Sequence, residues 1–217
     1  GEASHGSRPM LGENAIDRLY VAIERIRSIV GQRTPVLPTS VEPIVEESVA
    51  YYEAIMGADA ARALFTTPTI NLGTIHGGEA INTVPESARA RLDIRTPPGV
   101  APETILEDLR DCVDSCEGIV IADVSWSTGS YDAIDSPIVE AVASVAAAVT
   151  GERIYRRSGT GGGDAKAARR AGIETVEFAL GTETAHAVDE YTTLDALRLN
   201  AQIYARLPWV YADLRGR

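Results

Sequence analysis

The sequence predicts an α/β protein in two parts, an α+β unit with the order β-α-β-β-α-β followed by an alternating α/β piece. Three observations carry that prediction. Apolar residues recur at helical spacing in several well-separated stretches, and two alternating runs joined through Gly77 and Gly78 lie between the first of them and the next amphipathic helix. From about residue 128 the pattern changes to helix, glycine-rich loop, short helix, strand and final helix. At 217 residues and 45% apolar content, the chain is long enough for two cores.

A first strand is expected to end near Ser4. Ile16, Leu19, Tyr20, Ile23, Ile26 and Val30 then fall on one face of a helix, with Gly31 at the position of a C′ glycine. Residues 31–42, with Pro35 and Pro38 inside and Pro43 just beyond, read as a loop, and 43–65 reads as helical pieces broken near Gly57. Together they look like an insertion of about 31–66. Thr69 to His76 and Ala88 to Arg95 read as the two arms of a hairpin, with an irregular bend from Asn82 to Pro85. Pro102 opens a helix carrying Ile105, Leu106, Leu109 and Val113, and Gly118 leads into a strand from Ile119 to Trp126. This order is the split βαβ of ferredoxin-like domains.

In the second part, Ser136 and Pro137 start a helix that runs to Thr150. A glycine-rich loop at 159–163 enters a short helix ending near Gly172. A strand from Glu174 to Phe178, a polar loop around His186 and a helix from about Thr193 to Leu207 follow. The expected domains are therefore 1–130 and 131–217, and the second has too few strands to close a sheet.

Charge and composition narrow the function. A net charge of -11, with 31 acidic against 20 basic residues, argues against a nucleic-acid or anionic-membrane partner, because phosphate binding needs a basic surface. No stretch approaches the roughly 20 apolar residues that cross a bilayer, and the first residues lack a signal-peptide pattern. A cytoplasmic protein acting on a small molecule is expected. Cys112 and Cys116, four apart in a predicted helix, read as two buried thiols, because that spacing gives poor disulfide geometry.

Three segments carry chemistry: GEASHGSRPMLGENAI at the start, INTVPESARARLDIR in the hairpin, and SGTGGGDAKAARRAGIETVEFALGTETAHAVDEYTTLDAL in the second part. In this order and spacing they resemble the M20 amidohydrolases, which include aminoacylases, acetylornithine deacetylases and succinyl-diaminopimelate desuccinylases. The resemblance implies a ferredoxin-like dimerisation domain, or lid, followed by the C-terminal α/β part of a zinc-peptidase catalytic domain.

The resemblance also implies residue roles. His186, beside Asp189 and Glu190, would bind one of two zinc ions through a ring nitrogen, cobalt being the alternative metal. His5, nine positions before Asn14, would reach into the partner's site and donate to the oxyanion of a tetrahedral intermediate. Asn82 and Arg95, from the Asn-x-x-Pro segment and its terminal arginine, would bind substrate, and a bidentate Arg95–carboxylate pair suits an anionic one. Arg8 divides evenly between that role and surface solvation. Gly161 and Gly162 would present amides to a substrate carboxylate, which fits a glycine-rich loop entering a helix. A nucleotide phosphate is the rival ligand, but Lys166 is not followed by Ser or Thr, and Asp164 stands where a dinucleotide loop needs Gly. Asp164 reads as a helix cap. His76 matches no motif and reads as strand decoration.

The family's remaining metal ligands and its Glu general base lie upstream of the lid, and none is in this sequence. The chain also opens on Gly rather than Met. The expectation is therefore a piece of a longer homodimeric hydrolase of N-acyl amino acids that on its own is inactive and holds zinc weakly. Succinyl-diaminopimelate is the favoured substrate because two anion-binding groups suit several carboxylates. Acetylornithine deacetylase, aminoacylase and carboxypeptidase activities share the same residues, and a non-catalytic dimerisation or ligand-binding module is the rival of another class.

Overall fold

The computed structural model describes every residue except Pro35, Gly99, Glu183 and Arg217. Pro35, part of the predicted loop, therefore lies outside the described residues. In chain order the elements are α1 (Ala15–Gln32), α2 (Glu42–Met56), α3 (Ala58–Thr66), β1 (Thr69–Gly77), β2 (Ala88–Arg95), α4 (Pro102–Asp114), α5 (Pro137–Thr150), α6 (Ala165–Arg170) and α7 (Leu194–Arg215). The chain forms two compact units. One comprises 1–37 with 63–128, the other 38–62 with 129–217.

In the first unit, Asn14 starts α1 by accepting the amides of Ile16 at 2.9 Å and Asp17 at 3.3 Å, which satisfies two otherwise unpaired donors. The helix passes through Gly31 to Gln32 instead of stopping at a C′ glycine. Burial of Val30 and the bond from Arg33 Nε to Asp108 at 2.6 Å hold that last turn in place. β1 and β2 pair antiparallel with Ile70 opposite Ile94 and Leu72 opposite Leu92, and the register shifts between Leu72 and Thr74. The alternation puts Ile70, Leu92 and Ile94 on the face that meets α1 and α4, where Ile26, Val30, Ile105, Cys112 and Val113 form the core.

Two expected strands take another form. The first is reduced to isolated bridges between Glu2 and Glu13 and between His5 and Thr83. The stretch 119–126 joins no sheet, so the sheet has two strands instead of four. Ile119 packs on the core, while Val120, Ile121, Val124 and Trp126 stay exposed. Alternating apolar residues declare a preferred face, but a strand also needs a ladder for its backbone groups, and among the described residues no strand pairs with this segment. Cys116 falls beyond the end of α4 and is half-buried, so only Cys112 is the buried thiol expected. Both are free.

The second unit is built on α5 and α7. Val145, Ala146 and Ile203 are buried between them, with Val149, Phe178, Leu180, Leu207 and Val210 around them. The stretch 174–178 is not a strand. Side chains satisfy its backbone instead: Thr175 N–H donates to Asp132 at 3.0 Å, Thr175 O accepts Arg169 Nε at 2.9 Å, and Phe178 O accepts the Tyr204 hydroxyl. Just beyond, Asn200 exchanges two bonds with the Leu180 backbone, at 2.9 and 2.8 Å. The final helix continues through Pro208 to Arg215. A proline there costs about 3 kcal/mol, against which stand the packing of Val210 and a 2.8 Å bond from the Tyr211 hydroxyl to Glu174.

The segment read as an insertion in the first domain packs, over 38–62, with the second unit. The reason lies on α2, which meets the stretch 153–158. Arg153 donates to Glu47 at 2.9 Å, Arg157 to the Tyr52 hydroxyl at 3.1 Å, and the Ser158 amide to Ser48 Oγ at 2.9 Å. The Tyr51 and Tyr155 rings meet edge-on at 5.5 Å, and the Arg157 guanidinium lies 4.5 Å from the Tyr51 ring centre. Gly57, at φ +84°, separates α2 from α3 in a conformation that favours glycine. Among the described residues, no helix is long and apolar enough to cross a membrane.

Candidate functional site

The structure fastens the first two motif segments to each other. Gly6 N–H donates to Asn82 O at 2.6 Å, Val84 N–H to Ser4 O at 2.8 Å, and Ala15 N–H to Pro85 O at 2.9 Å. His5 thereby sits opposite Thr83 and next to Asn82, at the N-terminal end of α1. The close approach needs glycine, because a Cβ on Gly6 would lie 2.8 Å from the Asn82 carbonyl group.

His5 is exposed, and its ring is oriented from one side. Ser7 N–H donates to Nδ1 at 3.2 Å, and Ser7 Oγ lies 2.8 Å from the same nitrogen. With Nδ1 facing the Ser7 amide, Nε2 is the ring nitrogen left to donate to another group. Arg8 shares the turn, its amide donating to His5 O at 2.8 Å. Its side chain is exposed and, among the described residues, makes no hydrogen bond or ion pair.

Arg95 is not brought to this cluster. It ends β2, opposite Thr69, while Ala88 pairs with Gly77 at the other end, a separation of roughly 20 Å at the rise of a β-strand. Its guanidinium is paired with Asp93 at 2.8 Å on the sheet face away from the helices. His76 is exposed on β1 opposite Arg89.

In the second unit, His186 lies in a loop closed on itself. Tyr191 N–H donates to Thr184 Oγ1 at 3.2 Å, and Ala187 N–H to Thr184 O at 2.9 Å. His186 has φ +65° and Asp189 φ +60°, left-handed conformations that cost a non-glycine residue on the order of 1–2 kcal/mol. The Glu190 carboxylate takes the His186 amide at 3.1 Å, which helps hold the strained turn. The imidazole is exposed. Among the described residues, no group of three His, Cys, Asp or Glu side chains could hold a metal ion.

Gly161 and Gly162 are exposed, and a Cβ on either would meet open space. Their amides make no hydrogen bond among the described residues. Asp164 stands at the start of α6, but its side chain does not cap the helix. Glu177 takes that place, accepting Ala165 N–H at 3.3 Å with its carboxyl group against Gly163. Neither Glu177 nor Ser48 stands out in the sequence, because each acquires its role through a residue distant in the chain.

Residues 1–116 match the peptidase dimerisation domain of M20 proteins. A succinyl-diaminopimelate desuccinylase of Magnetococcus marinus is 35% identical over 133 residues, covering 60% of this chain and 34% of that protein. One from Acidiphilium cryptum is 27% identical over 208 residues, covering 95% of this chain and 48% of that protein. The crystal structure of an M20 family metallo-carboxypeptidase, Sso-CP2 from Sulfolobus solfataricus, aligns with a TM-score of 0.75 at 18% identity, which is a likeness of fold; it covers 97% of this chain and 55% of the other. The chain spans about half the length of the relatives that it matches end to end. The α1, hairpin and α4 arrangement and the His5–Thr83 bridge lie within the matched residues, and this chain belongs to the M20 peptidase dimerisation domain family.

Proposed function

We propose that this chain supplies the dimerisation domain and the C-terminal part of the catalytic domain of a metal-dependent amidohydrolase acting on N-acyl amino acids in the cytoplasm. The observation that carries the reading is the fastening of the exposed His5 segment to the Asn82–Val84 segment, with Nδ1 turned to the Ser7 amide so that Nε2 is the nitrogen left to donate. Aimed at the oxyanion of a tetrahedral intermediate, such a donor contributes on the order of 3 kcal/mol of barrier lowering. In this reading Asn82 and Arg8 bind substrate beside it, Arg95 binds a carboxylate after exchanging Asp93 for it, and the Gly161 and Gly162 amides receive another carboxylate. His186 is the metal ligand proposed for this chain. Zinc, with cobalt as the alternative, would supply Lewis-acid chemistry in a site completed by residues outside this chain.

N-succinyl-diaminopimelate is the proposed substrate, supported by the names of the two relatives above, and the anion-binding roles given to Arg95 and the glycine loop would suit its several carboxylates. Acetylornithine deacetylase, aminoacylase and carboxypeptidase activities are the alternatives within the family. A non-catalytic dimerisation or ligand-binding module is the alternative of another class. Assaying the 217-residue chain and a longer product of the same reading frame on a panel of N-succinyl, N-acetyl and peptide substrates separates them. Turnover of the succinyl substrate by the longer product alone is expected. Inactivity of a metal-loaded longer product on the whole panel would leave the module.

A further inference from the structure

The glycine-rich loop is held at both ends by side chains from elsewhere in the chain. At its entry, Ser158 N–H donates to Ser48 Oγ on α2 at 2.9 Å. Ser48 is 0% exposed and gives its own proton to Ile44 O at 2.6 Å, which fixes the direction in which its oxygen accepts Ser158. At the exit, Glu177 Oε1 accepts Ala165 N–H at 3.3 Å, and a Cβ on Gly163 would fall inside the Glu177 carboxyl group. Between these anchors the amides of Gly159, Gly161 and Gly162 have no partner among the described residues, and a Cβ at any of the three meets nothing within 4 Å.

The geometry points to Glu177 and Ser48 as positioning residues that hold the loop in one conformation with the Gly159, Gly161 and Gly162 amides free. The functional sense of this rests on the reading that the loop faces a substrate carboxylate. A glycine-rich segment has more backbone freedom to lose on binding than any other, and anchoring both ends moves that loss from binding to folding. Gly163 is then glycine because the Glu177 carboxyl group occupies the space a side chain would need. Gly159, Gly161 and Gly162 stand in open space, where nothing but backbone conformation or the approach of a ligand calls for glycine.

Amide hydrogen exchange and backbone chemical shifts of the 217-residue chain test this without any turnover. Glu177→Ala is expected to speed exchange at Ala165 by about tenfold or more, as a lost hydrogen bond does. Glu177→Gln, which keeps an acceptor oxygen in place, should stay near the parent. Gly163→Ala should expel the carboxyl group and reproduce Glu177→Ala, and adding it to Glu177→Ala should change the loop no further. Ser48→Ala should do the same to Ser158, and both anchor losses should shift the Gly161 and Gly162 amide resonances. The proposal is overturned if those two resonances stay in place in Glu177→Ala and Ser48→Ala, or if Glu177→Gln behaves like Glu177→Ala. Glu177 is exposed, so its variants keep the test open even if Ser48→Ala unfolds the second unit. Failure of hydrolysis in the longer product would count against the proposed function and leave these exchange results unaffected.

Discussion

The amide of Gly6 donates to the carbonyl of Asn82 at 2.6 Å, so the segment carrying His5 is fixed to the segment carrying Asn82 by backbone and not by side chains. A Cβ at Gly6 would meet the Asn82 carbonyl carbon and oxygen at 2.8 Å, and backbone on both sides leaves little room to relax. Gly6→Ala is expected to destabilise the first unit by about 1–3 kcal/mol, the usual range for overpacking. Urea unfolding checks it, with Ile81→Ala at a fully exposed position of the same loop as the neutral comparison. Equal midpoints for the two variants would mean that the pairing does not hold the segments together.

Arg169 and Asp132 form the best-buried ion pair of the second unit, at 2.9 Å with side chains 20% and 17% exposed. Arg169 also donates to the carbonyls of Ser130 and Thr175, and Asp132 also takes the Thr175 amide. Removing one partner strands the other in a half-buried site. Asp132→Ala is expected to cost about 2–4 kcal/mol, and Asp132→Asn less, because it keeps an acceptor for the amide. Guanidinium denaturation distinguishes the two. No loss from Asp132→Ala would show that solvent already screens the pair.

The cysteines should separate by reactivity. Burial pushes the Cys112 thiol above its ordinary range, the neighbouring Cys116 adding to the shift and Arg25 opposing it. Cys116 is half-buried and accepts a 3.5 Å contact from Arg25. Thiol reagents attack the thiolate, so at pH 8 Cys116 should label first, by about tenfold or more. The folded pKa of Cys112 exceeds its unfolded value, so the stability it contributes is complete below roughly pH 8.5. That contribution is lost as pH rises through the higher folded value. Cys112→Ala should lower stability at neutral pH through lost packing yet flatten the alkaline decline. An unchanged alkaline limb would rule out this linkage.

Local signals made much of this fold legible. Asn14 caps α1, Pro102 and Pro137 open α4 and α5, and the alternation from Ala88 to Arg95 marks one arm of the hairpin. Where prediction and structure part, the deciding partner is distant in sequence. Ile119 to Trp126 has strand composition without a neighbouring ladder, and α7 outlasts Pro208 because Val210 and Tyr211 find partners on other elements. The site divides in the same way. The motif spacing around His5, Asn82 and His186 is legible in the sequence, and the roles that the family resemblance attaches to it are what the histidine variants below test. Ser48, an ordinary helical serine in the sequence, becomes an anchor only through a bond spanning 110 positions. Glu177 reaches the start of α6 across 12 positions.

His5 and His186 give the sharpest mechanistic test, because the proposed reading assigns them different jobs. In the longer, active product, His5→Ala should lower kcat by about 10²–10³-fold, the usual loss for one oxyanion donor. Metal content and dimer stability should stay near those of the parent, since His5 is exposed and touches neither core. His186→Ala should deplete metal as well as activity. If the first unit pairs as a two-fold homodimer and His5 acts across it, a mixed dimer of one His5→Ala and one His186→Ala subunit keeps a single intact composite site. Mixing the two inactive variants under exchange conditions should then restore activity, up to one working site per mixed dimer, while light scattering follows the dimer. Exchange without recovered turnover would place the action of His5 within its own subunit or remove it from catalysis, and a strictly monomeric chain at high concentration would withdraw the premise.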